Sequence, residues 1–518
     1  MSEMDVDRIS DLVALFESGC DTYGDEKAFS CMGNSISYLE LERASRDFAA
    51  YLQHKAGLVP GDRIAIQLPN MIDYPVIVWG SLRAGLVLVN TNPQYTPREL
   101  RHQFCDSGAR ALVVFAELLP VLEQVLSETD IDTVVAVSLN KVGTDPDSKL
   151  DVTLFSSALQ IGARCGLDPV KVQPDDVALL QYTGGTTGLP KAAMLTHTNL
   201  LASAFSFWRT LEILHPGEEI FVAPLPLYHV YAFVSHMVIG VAFGVHSVLI
   251  ANPRDVDEFV GALKGVPFSC FFGINTLFVS LCQNDEFCAL DFSSLKFTLS
   301  GGTALSRSAA ERWQQVTGCP VYEGYGLTEA TAGVSVNTPG HYQPGTIGTP
   351  KQGVEVKVVD DDGNELPAGE VGELCVRGAQ VMKGYWRQPD ATREAISDRG
   401  WLYTGDMAII QDDGFIRIVE RKKDLIIVSG FNVYPNEVEA VVDSLPEVLE
   451  CAAVGCADEK SGEVVKLFVV TKSAELNEES VRNHCRKNLV AYKLPKYIEF
   501  VEALPKSPVG KILRRQLR

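Results

Sequence analysis

Val177-Ala178-Leu179-Leu180-Gln181-Tyr182, running into Thr183-Gly184-Gly185-Thr186-Thr187-Gly188-Leu189-Pro190-Lys191, is the stretch on which the fold of this chain turns. The first six residues are almost continuously apolar, which predicts a buried strand. Three glycines then remove side-chain bulk, so backbone N–H groups can close around an anion. Three threonine hydroxyls and the Lys191 ammonium add hydrogen bonds and positive charge. A strand that empties into such a loop is suited to hold a triphosphate. The G-x-x-x-x-G-K-[ST] loop of P-loop NTPases does not fit, because Lys191 stands three residues after Gly188 and Ala192 takes the place of the metal-binding hydroxyl. A plain surface turn explains the glycines but not three threonines and a lysine in one short span.

At 518 residues the chain exceeds one ordinary core, so two or more domains are expected. With 46% apolar and 21% charged residues it reads as globular and not disordered. The net charge of −21 argues against nucleic-acid binding and means that anionic ligands must be held by local cationic clusters. Twelve cysteines are scattered without a C-x-x-C pair, which signals neither a disulfide framework nor a zinc site. Small buried residues in a reducing compartment are the simpler reading. The acidic start Met1-Ser2-Glu3-Met4-Asp5 lacks a secretory pattern, so a cytoplasmic protein is expected.

Residues 220–253 contain no Asp, Glu, Lys or Arg, a run long enough to suggest a membrane span. Pro224, Pro226, His229, His236, Gly240, Gly244, His246 and Asn252 interrupt it, however. A strand, a buried helix and a second strand fit better. The helix would carry Val230, Phe233, Val234, Met237, Val238 and Val241 at i, i+3, i+4 spacing. Peripheral membrane contact stays open, and the sequence is silent on oligomeric state.

The first half alternates strands and helices: a strand over 63–68, a helix over 70–84, strands over 86–89 and 111–115. Thr96-Pro97-Arg98-Glu99 opens the helix between the last two, with Thr96 as N-cap, Pro97 in the first turn and Glu99 completing a capping box. Such alternation implies an α/β fold, parallel sheets covered by helices. From about 345 to 419 the pattern turns to short β pieces and turns, a small β subdomain. Past Arg421 it restarts, with strands over 425–428, 452–454, 466–471 and 497–501 and helices over 435–443 and 478–489. The expected organisation is a large N-terminal domain, 1–421, and a small mobile α+β C-terminal domain, 422–518.

The loop Tyr-Thr-Gly-Gly-Thr-Thr-Gly-x-Pro-Lys resembles that of the adenylate-forming acyl-CoA synthetases, and the resemblance runs over nearly the whole chain to Lys511. Four further segments agree, in the family's order. Tyr322-Glu323-Gly324-Tyr325-Gly326-Leu327-Thr328-Glu329 is similar to the adenine and Mg²⁺ segment, and Trp401-Leu402-Tyr403-Thr404-Gly405-Asp406 to the ribose segment. Arg421-Lys422-Lys423-Asp424 resembles the interdomain hinge, and Pro508-Val509-Gly510-Lys511 the catalytic-lysine loop. Within the family, Pro224 to His229, Asn252-Pro253-Arg254-Asp255, Leu290 to Leu295 and Phe431 to Glu437 look like the bacterial long-chain fatty acid–CoA ligases.

The resemblance implies ATP-dependent conversion of a medium- or long-chain fatty acid to acyl-AMP, with pyrophosphate released, and then transfer to coenzyme A. ATP, Mg²⁺ and CoA are the implied cofactor and co-substrates. It implies that Thr183, Gly184, Gly185, Thr186, Thr187, Gly188 and Lys191 hold the β- and γ-phosphates. Glu329 would ligate Mg²⁺ with the Thr183 hydroxyl close by, although a Glu at a helix start is also ordinary. Tyr325 would face adenine, beside the Ser300-Gly301-Gly302-Thr303 turn and within the nucleotide segment of Glu323, Gly324, Gly326 and Thr328. Asp406 would accept from both ribose hydroxyls, with Arg421 in support. Lys511 would bridge the α-phosphate and the acid; composition alone makes it one of a basic tail with Arg514, Arg515 and Arg518. Lys423 is the implied hinge, where other relatives have Asp. Ser429 and Gly430 would line the CoA tunnel, Gly430 because a side chain would obstruct it. Arg254 is either a CoA phosphate contact or a surface charge. His229 stands either beside the reacting carboxylate or as a satisfied core histidine. His229, Phe233, Met237, Phe271, Phe272 and Gly273 are the candidate acyl lining. Transfer to a carrier-protein thiol is the alternative second step. A silent nucleotide or fatty-acid binder and a luciferase-like oxidase are the rivals from other classes.

Overall fold

The computed structural model describes residues 9–138, 151–183, 190–458, 460–472, 476–506 and 512–518. Gly184, Gly185, Thr186, Thr187, Gly188 and Lys511, the rest of the 507–511 loop and the chain start Met1 to Asp5 lie outside the described residues.

Among the described residues, the alternating pattern resolves into two largely parallel sheets. In the seven-stranded one, Arg63–Gln67 lies between Ala109–Phe115 and Val87–Asn90, and Val177–Thr183 follows in parallel. Lys191–Thr196 closes that edge antiparallel, pairing Thr183 with Lys191. The nine-stranded sheet has Ile220–Ala223, Cys270–Gly273, Phe297–Ser300 and Val321–Tyr325 as parallel neighbours. One apolar core joins the two sheets: Leu88 and Leu179 from the first belong with Phe221, Phe272 and Leu299 from the second. The predicted capping box closes as expected, Thr96 Oγ1 accepting from Glu99 N at 3.4 Å and Glu99 Oε2 from Thr96 N at 2.8 Å.

Three expectations change. The helix expected from Asn70 begins at Asp73. Asn70 is instead spent joining the sheets: its amide donates to Ala223 O (3.2 Å) and Leu225 O (2.9 Å) and its Oδ1 accepts from Leu227 N (2.8 Å). The apolar helix after His229 is α-helical only at its ends; Phe233–Ile239 winds as a π-helix. A segment buried on every side gains nothing from a 3.6-residue stripe, and π turns satisfy the backbone with one more residue per turn. The Tyr38 hydroxyl lies against its end, 2.9 Å from Gly240 O and 2.7 Å from Val245 O. Finally, the short strand expected at 452–454 spans Val448–Asp458, because Gly462–Thr471 pairs along its whole length. Among the described residues no helix is long and apolar enough to cross a membrane.

The β subdomain is a four-stranded antiparallel sheet, Glu355–Val359, Val371–Arg377, Leu402–Ile410 and Ile416–Arg421. Beyond it a five-stranded sheet with helices Pro435–Asp443 and Glu478–Asn488 has its own core around Ile426, Val438, Leu467 and Val481. Buried Glu420 ties the two parts: its carboxylate accepts from Asn436 N at 2.8 Å. Arg514 donates to Asn436 Oδ1 (3.2 Å) and to both Glu439 oxygens (2.9 and 2.7 Å) on the far side.

Candidate active site

The candidate site gathers at the C-terminal ends of the parallel strands, where an open α/β sheet leaves a crevice. Thr183 ends one strand and Lys191 begins the next, so the candidate phosphate loop has its two feet joined by a ladder pair. Thr183 Oγ1 reaches Lys191 O at 3.3 Å. The last loop carbonyl, Pro190 O, is 3.0 Å from His102 Nε2. A carbonyl only accepts, so His102 carries its proton on Nε2.

Glu329 sits in the short turn Thr328–Ala330 that follows the strand Val321–Tyr325. The next two residues, Thr331 and Ala332, both have left-handed backbone, φ 49° and 73°. For residues with a Cβ that conformation costs about 1 kcal/mol or more each, so the surroundings must impose it. Gly326 is part of that constraint, because a Cβ there would lie 1.3 Å from Ala332 O. Thr331 Oγ1 donates to Gln380 O at 2.7 Å, and Thr331 O accepts from Ser203 Oγ at 2.6 Å. Beneath lies Lys351, only 3% exposed, whose ammonium donates to Ser203 O at 3.1 Å. Among the described residues no carboxylate is paired with it, and burial brings its pKa down to about 7.

Tyr325 and Asp406 are 81 positions apart in sequence, yet the phenol donates to Asp406 Oδ2. Asp406 Oδ1 receives Arg421 Nε at 3.1 Å, since Asp406 and Arg421 face each other across the antiparallel strands. Burial, together with the Asp406 charge, pushes the Tyr325 phenol well above its ordinary value, so it remains a donor. Both oxygens proposed for the ribose are thus oriented by protein donors. The adjoining Ser300 Oγ and Thr303 Oγ1 are buried without a hydrogen-bond partner among the described residues, an arrangement suited to a polar ligand in that turn. Glu323, largely buried, accepts from Gly345 N at 3.2 Å; burial raises its carboxyl to about 7. Gly324, Gly302 and Thr328 line the same strand ends.

Lys423 faces this centre: burial and Arg421 lower its pKa, while Asp424, Asp406 and Glu329 pull it back up. A cavity of about 280 Å³ opens there between Thr404, Gly405, Arg421, Lys422 and Lys423. Ser429 and Gly430 form the two-residue tip of a hairpin, φ 52° and 86°, the left-handed pair a tight turn needs. A Cβ on Gly430 would meet nothing within 4 Å, so backbone conformation, not obstruction, explains the glycine in this arrangement. Ser429 borders a second cavity, about 410 Å³, with Ser461, Tyr492 and Lys496.

His229 caps the following helix, its Nδ1 3.4 Å from Tyr231 N. Burial pushes the Tyr228 phenol up to about 12 even though Arg254 lies near enough to lower it. Phe233, Met237 and Phe272 share one core, with Tyr231 edge-on to Phe272. Phe271 departs from expectation: strand alternation turns it to the opposite face, among Phe259, Phe278 and Trp313, in a separate core. Gly273 packs so closely on Phe278 that a Cβ would come within 2.8 Å of the ring.

Tyr385 was invisible to motif reading. Its hydroxyl donates to Glu329 Oε1 at 2.8 Å, and the Lys191 ammonium stands 5.2 Å from its ring centre. Only the glycine and aromatics of Gly384-Tyr385-Trp386 hinted at it, and such a triplet reads as ordinary packing.

Comparison with known proteins gives the family and the overall fold. The family described as AMP-binding enzyme matches residues 16–386, and the AMP-binding enzyme C-terminal domain matches 437–511. The chain is 48% identical to the long-chain-fatty-acid–CoA ligase of Salmonella typhimurium, covering all of this chain and 96% of that protein. It is 47% identical to that of Escherichia coli O6:H1, with the same coverage. The crystal structure of ATP-bound MatB from Rhodopseudomonas palustris superposes with a TM-score of 0.88 at 29% identity, covering 98% of each chain.

Proposed function

The chain belongs to the AMP-binding enzyme family, and from that premise we propose that it is an AMP-forming acid–CoA ligase for medium- or long-chain fatty acids. The observation that carries this is full-length identity of 48% to a relative named a long-chain-fatty-acid–CoA ligase. A carrier-protein acceptor is not favoured by relatives so named.

In the first half-reaction a carboxylate oxygen attacks the α-phosphorus of ATP and pyrophosphate leaves. Two anions must meet, so the site has to neutralise charge and hold an in-line geometry. Thr183, Lys191 and the loop between them are our candidates for the β- and γ-phosphates. Tyr325, Asp406 and Arg421 are those for adenine and ribose. The Glu329 carboxylate, oriented by Tyr385, and the Thr183 hydroxyl are hard oxygen donors that suit Mg²⁺ on a nucleotide. Bound there, Mg²⁺ would offset charge on the departing phosphates. Lys511 is assigned the bridge between α-phosphate and acid.

In the second half-reaction the CoA thiol attacks the acyl carbonyl and AMP leaves. We assign the pantetheine path to Ser429 and Gly430, a CoA phosphate to Arg254, the hinge to Lys423, and the acyl lining to His229, Phe233, Met237, Phe272 and Gly273. The domain boundary is placed at 421/422, where the four-stranded sheet ends at Arg421. Each CH₂ of the acyl chain adds about 0.8 kcal/mol on burial, so pocket depth sets length preference. A substrate that partitions into lipid also fits peripheral membrane contact of a cytoplasmic enzyme, which co-sedimentation with vesicles tests.

Incubation of the full chain with ATP, palmitate and CoA should yield AMP and palmitoyl-CoA in equal amounts. Acyl-AMP that accumulates without thioester would exclude the ligase assignment. Lys511→Ala should lower adenylation by roughly 100-fold or more, yet largely retain thioester formation from supplied acyl-AMP. Equal loss of both steps would remove Lys511 from the first.

A further inference from the structure

Lys191 and Glu329 are opposite charges on neighbouring loops, and in a half-buried crevice they would be drawn into a direct ion pair. Such a pair would neutralise the phosphate-loop cation and the metal-ligand anion together. The side chain of Tyr385 lies between them.

Its placement is set by backbone on both sides. Lys383 N donates to Met194 O (3.0 Å), Met194 N to Gly384 O (2.9 Å) and Trp386 N to Ala192 O (2.8 Å), so residues 383–386 form an antiparallel rung on the strand leaving the phosphate loop. From the other side Met382 N donates to Glu329 O at 2.8 Å. Gly384 has φ 142°, and a Cβ there would come within 2.7 Å of Thr392 Cγ2. Thr392 Oγ1 also accepts from Tyr385 N at 2.8 Å. The ring therefore has little freedom to leave.

We propose that Tyr385 is a positioning residue that holds Glu329 in its metal-binding orientation and keeps Lys191 from pairing with it. The phenol donates to Glu329 Oε1, which occupies one carboxylate oxygen and directs the other away. The ring face takes the Lys191 ammonium as a cation–π partner, a weaker hold that a triphosphate can displace. The same side chain thus satisfies both charges in the free enzyme and yields both to the nucleotide. This rests on the assignment of Lys191 to phosphate and of Glu329 to Mg²⁺.

The two halves separate by substitution. Tyr385→Phe removes the hydroxyl and keeps the ring; Tyr385→Leu removes both. ATP binding to the full chain, without fatty acid, is measured by calorimetry at graded Mg²⁺, with Glu329→Gln alongside. Tyr385→Phe should raise the Mg²⁺ needed for half-maximal ATP affinity by about 10-fold, the scale of a lost hydrogen bond to a charged group. Its ATP affinity at saturating Mg²⁺ should stay within about 2-fold. Tyr385→Leu should add a loss of ATP affinity at saturating Mg²⁺ of about 3- to 10-fold, and Lys191→Met placed on that variant should add little more. Partial unfolding lowers the number of binding sites without moving the Mg²⁺ midpoint, so it does not mimic the result. A Tyr385→Phe midpoint unchanged while Glu329→Gln shifts it would overturn the proposal and leave the metal assignment standing. No shift in Glu329→Gln would overturn the assignment beneath it.

Discussion

Replacing Lys351 by Met tests whether a buried, uncompensated ammonium underlies the Glu329 turn. Lys351 is 3% exposed, and burial brings its pKa from 10.5 to about 7. In the unfolded chain the amine keeps its proton up to about pH 10, whereas in the folded protein it gives it up near 7. Between those values the unfolded state binds more protons, so this group's contribution to stability improves as pH rises and is least favourable below 7. At 1.36 kcal/mol per pH unit the full penalty is up to about 4–5 kcal/mol, of which about 1.5 kcal/mol is relieved between about pH 7 and about pH 8.5. Met removes the penalty but gives up the Lys351 hydrogen bond to the helical carbonyl Ser203 O, at about 1–3 kcal/mol. Lys351→Met should therefore be more stable near pH 7, by on the order of 1–2 kcal/mol, and its advantage should shrink toward pH 8.5. For a 518-residue chain the unfolding entropy is about 1.1 kcal/mol/K, so the advantage in Tm should fall by about 1.5 °C over that range. Calorimetric or fluorescence melts of both proteins at stepped pH read the difference, which cancels every other titrating group. A difference that stays flat or widens with pH would refute the argument.

Other outcomes follow from the same geometry. Gly326→Ala forces its Cβ toward Ala332 O, 1.3 Å away in this backbone; the turn must open, and ATP-dependent AMP release should fall by more than about 100-fold with Mg²⁺ dependence altered. Asp406→Asn breaks the ion pair to Arg421 and the charge-assisted bond from Tyr325, so ATP affinity should weaken by at least about 10-fold while fatty-acid KM stays put, as steady-state kinetics would show. Arg514→Ala leaves half-buried Glu439 and buried Glu420 without their cation, and should destabilise the C-terminal unit by about 3 kcal/mol, read from local hydrogen exchange of the helix Pro435–Asp443.

What could be read from the chain alone was whatever local chemistry dictates. The apolar run before Thr183, the capping box at Thr96 and Glu99, and the strand–helix alternation each depend on residues within a few positions of one another. All three stand in the folded protein. The motif segments named the nucleotide site's candidate parts for the same reason, since each is a loop at a strand end. Tertiary structure decided what those parts touch. Tyr325 meets Asp406, and Tyr385 stands between Lys191 and Glu329, only because sheet register brings distant strand ends into one crevice. Strand alternation sent Phe272 to one core and Phe271 to the other, a one-residue choice that two adjacent phenylalanines do not reveal. The burial of Lys351 was equally hidden: a lysine in a Pro-Lys-Gln turn reads as solvated, and only the packing of the distant Ser203 helix and the Gly333 segment against it excludes water.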